Sequence, residues 1–288
     1  MTGFSSEWLA LREPADHRAR HAGLCSQMTA YFTTAQPTLG QSAEQPFRVI
    51  DLGCGSGSNL RAVAPALPPY QHWTLVDYDP ALLNAALQTL TLWADQAQAD
   101  PAQPGNVIFT KDDKKIEVVC LQEDLAANIE RVLSRPVNLV TAAAFFDLVS
   151  PDWLVRFCQA LTVPLYTVLT YDGTEVWTPP HAADAAMLQA FLAHQATDKG
   201  FGLSAGPDAT DIMRVALTAR GFQVEVGASP WQLGQSDIGL MRALATGTAG
   251  AVAETKTVAQ VVHQDWLCAR LNAQRCEIGH WDLWATPA

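Results

Sequence analysis

Hydrophobic positions along this chain recur with two periods, and the alternation between them predicts the elements. Short apolar runs that suit buried strands fall at 49–52, 72–76, 137–143 and 164–170, with β-formers at 107–110, 116–121, 222–226 and 276–285. Between them, apolar residues at helical spacing mark 81–94, 125–133, 151–161, 181–197, 208–219, 236–244 and 255–272. A helical stretch at 5–31, with a break near Pro14, precedes a polar linker at 36–45. Residues 95–105 read as loop, 107–121 as a hairpin around Lys111-Asp112-Asp113-Lys114, and 247–250 as a break between helices. Strands alternating with helices in this way predict an α/β chain with a largely parallel sheet.

The stretch that organises the rest is Asp51-Leu52-Gly53-Cys54-Gly55-Ser56-Gly57, where a strand ends and a helix starts near Ser58. Glycines there let the backbone turn tightly and approach a ligand, with the free N–H groups of the new helix beyond. The dinucleotide fingerprint needs its third glycine at Ser58, and a pyrophosphate is a poor neighbour for Asp51. The next strand ends in Asp77-Tyr78-Asp79-Pro80. A carboxylate at that strand end can accept from both ribose hydroxyls, which assigns Asp77, with Tyr78 beside it, to the cofactor. Asp79 reads as the cap of the following helix, with Pro80 at its first position.

The pattern acid-x-G-x-G-x-G resembles the first motif of the class I S-adenosylmethionine (SAM) dependent methyltransferases. The resemblance implies a Rossmann-like seven-stranded sheet in the order 3-2-1-4-5-7-6, last strand antiparallel, with helices on both faces. It implies that the turn, Gly53, Cys54, Gly55 and Gly57, packs on the methionine part of SAM while Asp51 helps hold its ammonium group. It also implies that Asp124 accepts from the adenine amino group and that Leu125 packs on the ring; Asp124 reads equally as a helix cap. Residues 1–45 are then an N-terminal helical cap and linker, and 46–288 the SAM-binding domain with substrate-side inserts around 174–207 and 234–272. Asn138 departs from the acid common in the family's fourth strand. The aromatic-proline tetrapeptide of amino-directed DNA methyltransferases is absent.

Ligands of such sheets bind outside the carboxyl ends of the strands, which places Phe145, Phe146, Asp147, Tyr171 and Asp172 toward a methyl acceptor. The insert adds His181, His194, Asp198 and Lys199. Candidate bases are His181, His194, Asp147 and Tyr171. The reading is methyl transfer from SAM to a small molecule. Two alternatives stay open: a catechol-type, magnesium-assisted O-methyltransferase using Asp147 and Asp172, with Gly173 where that family has an oxygen ligand, and a SAM-binding protein that does not methylate.

Charge and composition narrow the partners. A formal net charge of −11 argues against nucleic acid and anionic membrane. No apolar run is long enough for a membrane span and no secretory pattern opens the chain, so the expectation is cytoplasmic. The six cysteines show no metal-ligand spacing and read as buried thiols, and the nine tryptophans read mostly as core with some lining a pocket. His17 and His21, four apart, read as part of a solvated basic face, since no third metal ligand accompanies them.

Overall fold

Phe47 and Val49 alternate with Ile50 and Leu52 in the first strand, and the two pairs enter different apolar cores, so the strand is buried on both faces. The computed structural model describes residues 5–101, 103, 105–198 and 200–288; Lys199, one of the acceptor-side candidates, lies outside them. Its strands are β1 Phe47–Leu52, β2 Tyr70–Asp77, β3 Gln96–Ala99, β4 Val107–Lys111, β5 Lys114–Gln122, β6 Leu139–Ala143, β7 Leu165–Thr178, β8 Gln223–Ala228, β9 Trp231–Leu233 and β10 Arg275–Thr286. The helices are α1 Ser6–Ala19, α2 Ala22–Ala30, α3 Ser58–Val63, α4 Pro80–Trp93, α5 Leu125–Leu133, α6 Pro151–Ala160, α7 Asp184–Gln195, α8 Ala209–Ala219, α9 Ile238–Thr255 and α10 Gln260–Arg270.

Among the described residues the sheet has ten strands, in the order β3-β4-β5-β2-β1-β6-β7-β10-β8 with β9 on β10. Its central members β5-β2-β1-β6-β7-β10-β8 reproduce the expected 3-2-1-4-5-7-6 order, and β10 runs antiparallel between β7 and β8. The β3-β4 hairpin arm and β9 are additions to the seven. Helices α2, α3 and α4 cover one face; α5, α6 and α8 cover the other. Asn138 has its own use: its side-chain oxygen accepts from the Arg48 N–H at 2.8 Å and ties the start of β1 to the approach of β6.

Several elements differ from the sequence expectation. Helix α1 runs through Pro14, and the break comes instead at Arg20, whose backbone is extended (φ −51, ψ 136). There His21 caps α2 by accepting from Leu24 N, while its own N–H is held by Asp282 from the sheet at 2.8 Å. Residues 96–99, expected as loop, form β3, an exposed strand held by backbone pairing to β4 with no apolar alternation to reveal it. Helix α9 continues through Gly247 and Gly250 because Leu240, Met241, Ala245, Thr248, Ala249 and Val252 bury one continuous face. That packing offsets about 1 kcal/mol of helix propensity lost at each glycine. Finally, β7 does not stop at Thr170 but continues to Thr178, still paired with β10 beyond a register shift between Ile278 and His280.

Because β7 and β10 overrun the sheet, they carry a second layer at the carboxyl ends of the parallel strands. Helices α7, α9 and α10 pack there, with Met187, Met241, Val252 and Trp266 in one core with Trp177. Helix α1 lies against β9 and α3, and α2 against β8 and β10. Among the described residues no helix is long and apolar enough to cross a membrane.

Candidate functional site

The glycine turn after β1 has left-handed backbone at Gly53 (φ +61), Gly55 (φ +52) and Gly57 (φ +75). A Cβ at Gly53 would stand 2.6 Å from the Phe145 ring and one at Gly55 2.9 Å from Leu9 Cδ1. An aromatic from the β6–α6 loop and a leucine from α1 therefore rest on the turn. Cys54 is buried inside it, its N–H donating to Val76 O at 3.0 Å, and burial pushes its thiol up.

Asp77, at the end of β2, braces the turn: its carboxylate accepts from Gly55 N at 2.9 Å and from Asp79 N at 3.0 Å. Burial raises its pKa above the usual range. Tyr78 is exposed, and Asp79 caps α4 by accepting from Ala81 N at 2.8 Å. Asp51 is completely buried. One of its oxygens accepts from Asn59 Nδ2 at 2.7 Å, and the same amide donates to Thr141 Oγ1 at 3.0 Å. The other oxygen, Oδ2, has no hydrogen-bond partner, nor has Asn59 Oδ1. Burial pushes the Asp51 carboxyl up to about 7.

Asp124 caps α5, accepting from Ala126 N at 2.9 Å, and is exposed. Leu125 does not present a face for a ring: it is buried in the α5–α6 core, where its carbonyl accepts from Trp153 Nε1 at 2.8 Å. The buried acid of this loop is Glu123, unremarked in the sequence, which holds Asn128 at 2.9 Å and pairs with Arg131.

Beyond the carboxyl end of β6, Asp147 sits in the short turn Phe146–Leu148. It is buried, its Oδ1 has no partner, and burial pushes it up to about 6. Its charge reaches Tyr171 in β7, whose phenol burial pushes well up. The Tyr171 hydroxyl donates to Glu175 at 3.2 Å, and Trp177 Nε1 donates to the other Glu175 oxygen at 3.3 Å.

His280 completes this group and was not legible as a site residue in the sequence. Register places it opposite Tyr171 across β7 and β10, with ring centroids 6.0 Å apart, and the Trp231 ring lies 4.9 Å from it. It is buried, its Nδ1 has no partner, and burial pushes it down to about 3, so the ring is neutral. The only advance signal is strand alternation, and it becomes specific once the antiparallel register is known. Arg12 of α1 closes the group, its guanidinium 4.9 Å over the Trp231 ring and paired with Asp16 at 2.9 Å.

The two candidate histidines of the insert go elsewhere. His181 pairs with Asp265 of α10 at 3.2 Å and accepts from Ala183 N; His194 pairs with Glu254 of α9 at 3.0 Å. Both stitch helices of the second layer together. Asp172 accepts from the N–H and hydroxyl of Thr174 within its own turn, at 2.8 and 2.6 Å, and Asp198 accepts from Gly200 N and Gly202 N. Among the described residues no three ligating side chains converge on a metal position. His17 meets Ser58 and His21 caps α2, so the pair does not converge either. A surface cavity of about 490 Å³, lined by Glu13, His17, Arg61, Thr89, Leu92 and Trp93, opens beside α1 and α4.

No family model matches the chain, and no curated protein does. Among solved structures it is similar to a cyclopropane-fatty-acyl-phospholipid synthase-like protein from Lactobacillus casei, with 12% identity over 96% of this chain and 98% of that one (TM-score 0.46). It is also similar to magnesium protoporphyrin IX methyltransferase from Synechocystis with bound SAM, with 11% identity over 100% of this chain and 87% of that one (TM-score 0.43). At this distance neither likeness decides the chain's chemistry.

Proposed function

We propose that this chain transfers a methyl group from SAM to a small-molecule acceptor. The observation that carries the reading is the buried carboxylate oxygen of Asp51 in β1, before the glycine turn, which lacks a donor, as does Asn59 Oδ1 in α3 after it. Two open acceptors in a dry site suit an ammonium group, and the turn beside them has no side chain at Gly53 or Gly55. Asp77, at the strand end one place across the sheet, is the proposed ribose ligand, and Asp124 the proposed partner of the adenine amino group. In this reading residues 1–45 form the cap over the site, and 174–207 with 234–272 shape the acceptor side.

Bound SAM supplies an electrophilic methyl group on a sulfonium with a neutral leaving group. What remains for the chain is alignment, exclusion of water and removal of one acceptor proton. Asp147 suits the proton transfer, because its carboxyl, near 6, is ionised at neutral pH and desolvated, with an oxygen uncommitted. Neutral His280 offers its free Nδ1 to the acceptor, Tyr171 and Trp231 wall the position, and Glu175 fixes the Tyr171 hydroxyl. His181 and His194, tied to α10 and α9, contribute to the shape of the insert.

Calorimetry with S-adenosylhomocysteine tests the reading through its pH dependence. An ammonium beside Asp51 binds only the carboxylate, so below pH 7, where that group is protonated in the free protein, binding releases a proton. The dissociation constant is expected to fall about tenfold per pH unit up to about 7 and to level off above it. Asp51→Asn should remove the slope. Binding of NAD in place of S-adenosylhomocysteine would end the proposal.

A further inference from the structure

Arg20 forms the extended link between α1 and α2, and its Nε and Nη1 are buried with no hydrogen-bond partner. A guanidinium in that position is costly unless something anionic answers it. Its charge reaches Asp51, Asp282 and Tyr166, yet it forms an ion pair with neither acid among the described residues. Asp282 is already committed, accepting from Leu169 N at 2.9 Å, Ser229 Oγ at 2.5 Å and His21 N at 2.8 Å. Asp51 spends one oxygen on Asn59 and keeps the other open. The Tyr166 hydroxyl, which Arg20 faces, is also buried without a partner.

The polar groups left open around the end of β1 thus have opposite demands. Arg20 and Tyr166 need an acceptor, preferably an anion; Asp51 Oδ2 and Asn59 Oδ1 need a donor, preferably a cation. A ligand that carries both charges a few bonds apart answers all four, and an α-amino acid zwitterion is that ligand. We propose that Arg20 binds the α-carboxylate of the cofactor's amino-acid end while Asp51 takes its ammonium, an assignment that rests on the SAM reading above. The turn that supplies Arg20 is set by the sheet, since Asp282 holds the next residue's N–H.

Calorimetry on the full chain with two ligands separates this from a structural role. S-adenosylhomocysteine carries the zwitterion; 5′-methylthioadenosine has the same nucleoside and thioether without it. Arg20→Ala is expected to weaken S-adenosylhomocysteine by about 30- to 100-fold and to leave 5′-methylthioadenosine within about twofold, with Arg20→Lys recovering part of the loss. Arg20→Met, which keeps the apolar stem, replaces the alanine variant should that fail to fold. Equal loss for both ligands, or loss for neither, overturns the assignment of Arg20 and leaves the cofactor reading standing. Failure of the unaltered chain to bind either ligand overturns both.

Discussion

Replacing Asp282 by alanine is expected to lower the free energy of unfolding by about 3–5 kcal/mol, a large fraction of the whole stability of an ordinary domain. The side chain is fully buried and accepts from three donors on different elements: Leu169 N in β7, Ser229 Oγ before β9 and His21 N at the start of α2. Alanine strands all three in a dry interior, at about 1–3 kcal/mol for each group that finds no water. One of them belongs to Leu169, whose φ of +60 is unfavourable for a branched side chain and persists because this bond helps fix it. Urea unfolding of the variant at neutral pH measures the loss, and a change below about 1 kcal/mol would show that the three donors find water.

Asp77→Ala is expected to weaken S-adenosylhomocysteine by about 2–4 kcal/mol, roughly thirty- to a thousandfold, through two lost charge-assisted hydrogen bonds. Sequence alone suggests that folding is untouched. The bonds from Gly55 N and Asp79 N say otherwise: the same carboxylate shapes the turn before any ligand arrives, so the melting temperature should fall as well. Asp79→Ala is the control, costing about 1 kcal/mol of capping and little affinity. Loss of the ligand in Asp79→Ala with retention in Asp77→Ala would mean the roles of the two acids are exchanged. Gly55→Val should abolish binding, since its side chain runs into Leu9 of α1 from a left-handed backbone.

The parts of the fold that were legible in the sequence are those whose apolar pattern is dictated by burial: β1, β2, β6 and the helices α4, α5, α6 and α8. What escaped follows other rules. Strand β3 is exposed along its length and exists through backbone pairing alone. The outer half of β7 hides behind Asp172, Gly173 and Thr174, which read as a stop and form an irregularity within a longer strand. Pro14 and the glycines of α9 carry local penalties that tertiary packing outweighs. In the candidate site, motif spacing is what proposes Asp51, the glycine turn and Asp77. His280 and Arg20 belong to no motif; His280 depends on register between β7 and β10, and Arg20 on where the sheet seizes the link between α1 and α2.

The place of β10 has a consequence for how the chain becomes a protein. It follows β8 in the sequence by about fifty residues, yet it is the strand through which β8 joins the sheet and the one that covers the open side of β7. During synthesis or refolding the parallel half of the sheet can assemble early, with the bare edge of β7 exposed until the remaining helices have formed. That interval is when a second copy can pair along the edge, so yield should depend on concentration more steeply during refolding than stability in the finished state suggests. Pulse-labelled hydrogen exchange should find the β8 amides and the outer edge of β7 protected last, together, in one slow step.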